Sequence, residues 1–355
     1  MGLGVAAVSA LNEVNAWDGT PDPVKTGGLL SEEYLSEDIR ITGCRADCGR
    51  EDLGAAAGIV IEYSRRFFVE NCSVGSCSQG IEFWGGDSDY SRGGRKENFH
   101  AAQKGVIKNC SVADAAGGGI WGSLGQDIRI INCSVSRCLD VGIDFEGCRR
   151  ALAEGCRAED CANGNYSTFQ YCTEDVVFKN CRSYISGELG ATHFFNSNAT
   201  QMAADQEIVI TGCRFESRGP SRITAFSAMK SFCFLNNTCV NAALDTSGNN
   251  ICSVRAEGNR FIINTPLPES APSALFAETL CPGRSEIVVK NNDVSGSSEQ
   301  TGILVSVLSP GGGRAVLENN RVSGCEPPLR VRSSAPVSVE GDYSGAVEKY
   351  PPAGG

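Results

Sequence analysis

The sequence predicts an all-β solenoid: a single parallel β-helix of about eleven to twelve coils over residues 37–343. Three observations predict it. One position recurs along the 355 residues, as Cys44, Cys72, Cys110, Cys133, Cys156, Cys181 and Cys213, then as Asn237, Asn259, Asn292 and Asn320. Its shortest spacings are 22 to 25 residues, and its flanks repeat as Asn71-Cys72-Ser73-Val74, Asn109-Cys110-Ser111-Val112 and Asn132-Cys133-Ser134-Val135. A fixed period of this size marks units that bury their apolar faces only by stacking on neighbours. The second observation is period-two alternation. Three and five residues before the anchor stand Ile41/Ile39, Val69/Phe67, Ile130/Ile128, Phe178/Val176, Ile210/Ile208 and Val289/Ile287, with mostly polar residues two before it, among them Thr42, Glu70, Lys108, Glu154, Lys179 and Lys290. That is a strand with one face in a core and one in water. The third is the 42 glycines and the lack of any long 3.6-residue stripe, which disfavour helical repeats.

The elements follow in order. Residues 1–36 read as a lead-in: Met1–Ala10 is apolar but has no basic stretch before it, so a cap over the open first coil is expected rather than a signal peptide. From Glu37 to Tyr343 each unit is short strands joined by turns, with the anchor at a corner where coils stack ~4.8 Å apart. Asparagine suits such a ladder because its amide hydrogen-bonds from coil to coil, and cysteine because it is small and readily buried. The leucine pattern of the rival leucine-rich repeat is absent. Two coils carry insertions. Cys72 to Cys110 spans 38 residues, the excess beginning after Trp84, and a second lies between Cys181 and Cys213. Residues 344–355 read as a loose tail.

This pattern resembles the right-handed parallel β-helix (pectin-lyase-like) superfamily, and within it the bacteriophage tailspikes and related polysaccharide depolymerases. The resemblance runs over nearly the whole chain. It implies a right-handed coil, a polysaccharide partner and a homotrimer, on a scaffold that serves hydrolases, lyases, epimerases and non-catalytic adhesins alike. The N-terminal virion-binding segment and C-terminal trimerisation region common in tailspikes are not evident.

Composition bounds the rest. Eighteen cysteines suggest a disulfide framework, but stacking along a ladder accounts for many of them, so mostly free thiols and assembly in a reducing cytoplasm are expected. Action as part of a virion or outside the cell is compatible with that origin. A net charge of −11 disfavours nucleic acid and anionic membranes, and no run approaches the ~20 apolar residues of a membrane-spanning helix.

Chemistry is expected on one face. A Gly-Ile motif recurs at Gly58-Ile59, Gly80-Ile81, Gly119-Ile120 and Gly142-Ile143. If each Ile points inward, stacking makes two outward columns: Val60, Glu82, Trp121, Asp144 and Glu62, Trp84, Ser123, Glu146. Carboxyls beside aromatic rings are what a glycosidase needs, one carboxyl as acid and another as base or nucleophile, with ring faces against sugars. Asp144, Glu146 and Glu82 are therefore the candidate catalytic residues. Trp84, Trp121, Glu62, Asp87, Arg95 and Tyr171 are the candidate substrate contacts. An ordinary charged, solvated strand face is the plain alternative, though two of the chain's three tryptophans fall in this patch. The insertion after Trp84 would wall the groove, with Arg95 meeting an acidic sugar. Asp87 and Asp89 are too few for a calcium site, the cysteine spacing is that of coils rather than zinc ligands, and no nucleotide or serine-hydrolase motif occurs, so no metal or cofactor is expected. The two histidines, His100 and His193, read as structural. The favoured activity is hydrolysis of a bacterial surface polysaccharide. A lyase or epimerase on uronic acid polymers, and a glycan-binding spike without turnover, are the alternatives.

Overall fold

The computed structural model describes residues 5–7, 35–49, 57–86, 100–169, 173–187, 193–198, 206–225, 229–247, 250–267, 271–298 and 300–350. Every ordered element in them is a β-strand, and all strand pairs are parallel. The chain winds about ten turns. Each coil contributes strands to three faces. In one coil, Ile59–Glu62 forms the first face, Ser64–Arg65 and Phe68–Glu70 the second, and Ser73–Gly75 the third. Each strand pairs with the equivalent strand one coil on, as Ile59–Glu62 does with Ile81–Trp84. Val5–Ala7 adds to the edge of Ile59–Glu62, so part of the lead-in covers the first coil as a strand.

The bend between the second and third faces explains the sequence at the anchor. The residue before it adopts φ of 52° to 67° in every coil: Gly43, Asn71, Asn109, Asn132, Gly155, Asn180, Gly212, Asn236, Gly258, Asn291 and Asn319. Only glycine and asparagine visit that left-handed region at low cost, and only they occur there. The anchors behind this bend form the ladder. From Cys72 to Cys213 each ladder thiol shares its proton between carbonyls of its own and the preceding coil, as Cys156 does with Ile130 O at 3.4 Å and Glu154 O at 3.5 Å. Asparagines do it more strongly: Asn259 Nδ2 donates to Phe234 O at 2.8 Å, and Asn259 Oδ1 accepts from the Asn237 N–H at 2.9 Å.

Inside the coil the inward residues of all three faces meet, and aromatic rings run along the axis. Phe145, Phe178, Phe195 and Phe232 follow one another at centroid distances of 5.5 to 6.3 Å. Outside, ion pairs join neighbouring coils, among them Arg150–Asp127 at 2.6 Å, Lys179–Glu154 at 2.9 Å and Lys290–Glu318 at 2.9 Å. Each is worth little to stability, but together they neutralise the acids along the faces where they occur.

Of the cysteines, fifteen described ones are free and mostly buried. Cys48 and Cys77 form a disulfide between adjacent coils. This departs from a purely packing role, because Cys48 lies four residues past its anchor and Cys77 five, outside the ladder.

Candidate functional site

The first face holds the expected columns in register. Val60 pairs with Glu82, Glu82 with Trp121, Trp121 with Asp144 and Asp144 with Ser167. Glu62, Trp84, Ser123 and Glu146 form the second column in the same way. Ile59, Ile81, Ile120 and Ile143 are fully buried, which turns their neighbours outward. The glycine before each isoleucine is required by close packing between coils. A Cβ on Gly58 would lie 2.8 Å from the Gly80 carbonyl, and one on Gly119 2.6 Å from the Gly142 carbonyl. Gly118 has a different role: a Cβ there would lie 2.6 Å from Trp121 Cδ1, so the bare backbone lets the indole lie back along the face.

An open groove does not describe this face. Asp144 and Glu146 are buried, at 1 % and 8 % exposure, while Glu62, Glu82, Trp84 and Trp121 are half-buried. Part of the cover is the chain after Trp84. Gly85 N–H donates to Ser123 O at 2.9 Å, and the Ser123 hydroxyl donates to Gly86 O. The returning end of the insertion then crosses nearby, with the buried His100 Nε2 3.0 Å from Gly147 O, next to Glu146. Ser123 is therefore sealed between Trp84 and Glu146, which breaks the second column. Trp84 itself packs against the buried cluster Leu35, Tyr63 and Ala101 and meets Trp121 edge-on, centroids 6.0 Å apart.

The first column is different, because its polar atoms lack partners. Asp144 Oδ1 accepts the Phe169 N–H at 3.3 Å. Asp144 Oδ2, the indole N–H of Trp121, the Ser167 hydroxyl and Glu62 Oε2 are buried without a hydrogen bond of normal geometry. Buried polar groups in folded proteins are nearly always paired, so four along two neighbouring columns set this stretch of the face apart. Burial pushes the Asp144 carboxyl up to about 7, with Asp140 adding to the rise and the Ser167 hydroxyl and Phe169 N–H opposing it. Burial also pushes Glu82 up to about 7, aided by the neighbouring Glu62, whose own carboxyl burial raises. None of these three carboxylates has an ion pair among the described residues, in contrast to the acids of the other faces.

Asp87, Arg95 and Tyr171 lie outside the described residues, as do Asp89 and Glu188. His193 is half-buried, two coils beyond Asp144, and pairs in register with Arg222; burial and that arginine lower its pKa. Ser167 and Asp140 were missed from sequence. Ser167 was legible in principle, since Tyr166 continues the inward isoleucine position.

Ten stacked parallel coils with an inward aromatic spine and a Cys/Asn corner ladder define a right-handed parallel β-helix protein. A family model described as a right-handed β-helix region matches residues 92–238. No curated protein sequence matches the chain. Among solved structures, the N-terminal fragment of the bacteriophage Phi29 gene product 12 is similar over 88% of this chain, with a TM-score of 0.55 and 14% identity. The chain spans 58% of that fragment's length. An alginate lyase from a Paenibacillus species (TM-score 0.47, 15% identity, 81% of this chain and 96% of that one) is also similar. So is tailspike protein 3 of bacteriophage CBA120 (TM-score 0.42, 13% identity, 83% and 56%). At such identities the likeness establishes the fold alone.

Proposed function

We propose that the chain is a polysaccharide hydrolase of tailspike type, acting on a bacterial surface glycan through the column Glu82–Trp121–Asp144. The observation that carries this reading is the row of unpartnered polar atoms around an indole flanked by two unpaired carboxyls. A sugar lying on Trp121 would place its hydroxyls against the indole N–H and Ser167, and a glycosidic oxygen beside a carboxyl.

The roles divide by environment. Asp144, enclosed and raised to about 7, retains a proton near neutral pH and serves as the acid that protonates the leaving oxygen. Glu82 is raised to about 7 as well, so exposure rather than pKa separates the two: half-buried and reachable by water, its ionised form takes the proton of the attacking water as base. Two coil steps of ~4.8 Å put their Cα atoms about 9.6 Å apart. That suits inversion, in which carboxyls ~6.5–9.5 Å apart leave room for a water. Glu146, next but one to Asp144 on the same strand, supports the charge at the acid rather than the reaction itself.

Among the alternatives, a uronate lyase needs a cation to neutralise the sugar carboxylate; the two columns carry no Lys or Arg from Val60 to Phe169, so that cation would have to come from the insertion that holds Arg95. Product analysis across capsular and O-antigen polysaccharides tests the reading. A hydrolase yields reducing ends without ultraviolet absorbance, a lyase yields an absorbing unsaturated sugar, and a binder yields neither.

A further inference from the structure

The same outward face continues to the C-terminal coils, and its chemistry changes there. In register, Glu278 pairs with Ser306, Ser306 with Arg332 and Arg332 with Glu348. One column over, Phe276, Leu304 and Arg330 follow one another. The natural partner for Arg332 is Glu348, but Arg330 already occupies that carboxylate through two bonds of 2.8 and 2.6 Å. Among the described residues the Arg332 side chain has no hydrogen bond or ion pair. Its guanidinium lies instead 5.6 Å from the Phe276 ring centre and 5.1 Å from that of Tyr350. Arg332 Nε is buried and unpartnered, and so is the hydroxyl of Ser306, which is 1 % exposed and adjacent in register.

Aromatic rings hold a guanidinium by its charge and flat faces and accept none of its N–H bonds. Arg332 is thus held in place with its donors unused, beside a buried hydroxyl also without a partner. A planar fork of N–H donors matches a carboxylate, which accepts two parallel bonds. Seven coil steps separate this point from Asp144, about 34 Å at ~4.8 Å per step.

We propose that Arg332, flanked by Phe276 and Tyr350 and assisted by Ser306, is a binding site for the carboxylate of an acidic sugar on this face. The site rests on the reading that the face binds glycan, and adds a requirement for a charged residue far along the chain from the point of cleavage. A polymer mixing acidic and neutral sugars satisfies both ends, with a neutral stretch over the carboxyl-lined coils and an acidic residue at Arg332.

Calorimetric titration of the whole chain with trigalacturonate and with its methyl ester tests the proposal, since the two probes share one sugar backbone and the ester has lost the charge. The acid is expected to bind roughly tenfold or more tightly than the ester, as suits charge-assisted bonds, and less tightly as salt rises. Arg332→Gln should abolish the preference. Arg332→Lys, which keeps the charge but not the fork, should retain part of it, and a matching melting temperature for the two variants shows that the fold is intact. Equal affinity for acid and ester, or a preference that survives Arg332→Gln, overturns the site. If neither probe binds while a neutral polysaccharide is still cleaved, the Arg332 site fails and the hydrolase reading stands. If no glycan is bound or cleaved, both fail.

Discussion

Asp144 has one carboxylate oxygen on the Phe169 N–H, while the other, near the Ser167 hydroxyl, makes no hydrogen bond of normal geometry and is buried. That combination is costly for stability, and its sign can be worked out. The folded carboxyl titrates near 7 against an ordinary value of 3.8, so the folded chain binds more protons than the unfolded one between those values. Stability is complete below about 4 and is lost as pH rises through 7. Asp144→Asn cannot ionise and is therefore expected to be more stable than the native chain at pH 8, by an amount on the order of 4 kcal/mol, and to melt higher there, with little difference at pH 4. Thermal melts at the two pH values check this, and a variant less stable at both would show that the carboxylate is paired after all. In turnover the same substitution should lower kcat by ~10²–10⁴ while leaving glycan binding in place. Trp121→Ala should do the reverse, raising the dissociation constant through loss of stacking area.

At the scale of the element, the period-two pattern was enough to assign both columns, because one buried isoleucine per strand sets the facing of all its neighbours. The burial of Asp144 and Glu146 was not legible. It depends on how the chain after Trp84 and the stretch at His100 fold back over the ends of the strands, and no repeat encodes that path. The disulfide was hidden for a similar reason, since Cys48 and Cys77 sit at different offsets from their anchors. Arg332 escaped attention because its significance lies in what Arg330 does to Glu348. The ladder, by contrast, is local and gives a firm expectation. Asn259→Ala removes the acceptor of the Asn237 N–H and the donor to Phe234 O, each loss worth about 1–3 kcal/mol when buried. Hydrogen exchange should speed up most at the Asn237 amide, and coils far along the solenoid should change little because each touches only its neighbours. Uniform loss of protection along the chain would contradict the nearest-neighbour picture.

For the whole molecule, the solenoid confines chemistry to its surface, and its faces differ in how charge is settled. Many acids elsewhere are ion-paired, several of them across coils, while Glu62, Glu82 and Asp144 have no ion pair among the described residues, which is a stability cost that a bare scaffold would not keep. The interior is held by packing rather than by cross-links: thiol titration of the denatured, unreduced chain should find at least fifteen free thiols, and recovery of only a few would contradict the ladder's role. The most direct test of the account is single-turnover product analysis on a polysaccharide that the chain binds, comparing native protein with Asp144→Asn. Native protein is expected to release reducing ends of inverted anomeric configuration with no unsaturated sugar, and the variant to bind the polymer and release almost none. Unsaturated products, or undiminished cleavage by the variant, would contradict the assignment of hydrolysis to the Glu82–Trp121–Asp144 column.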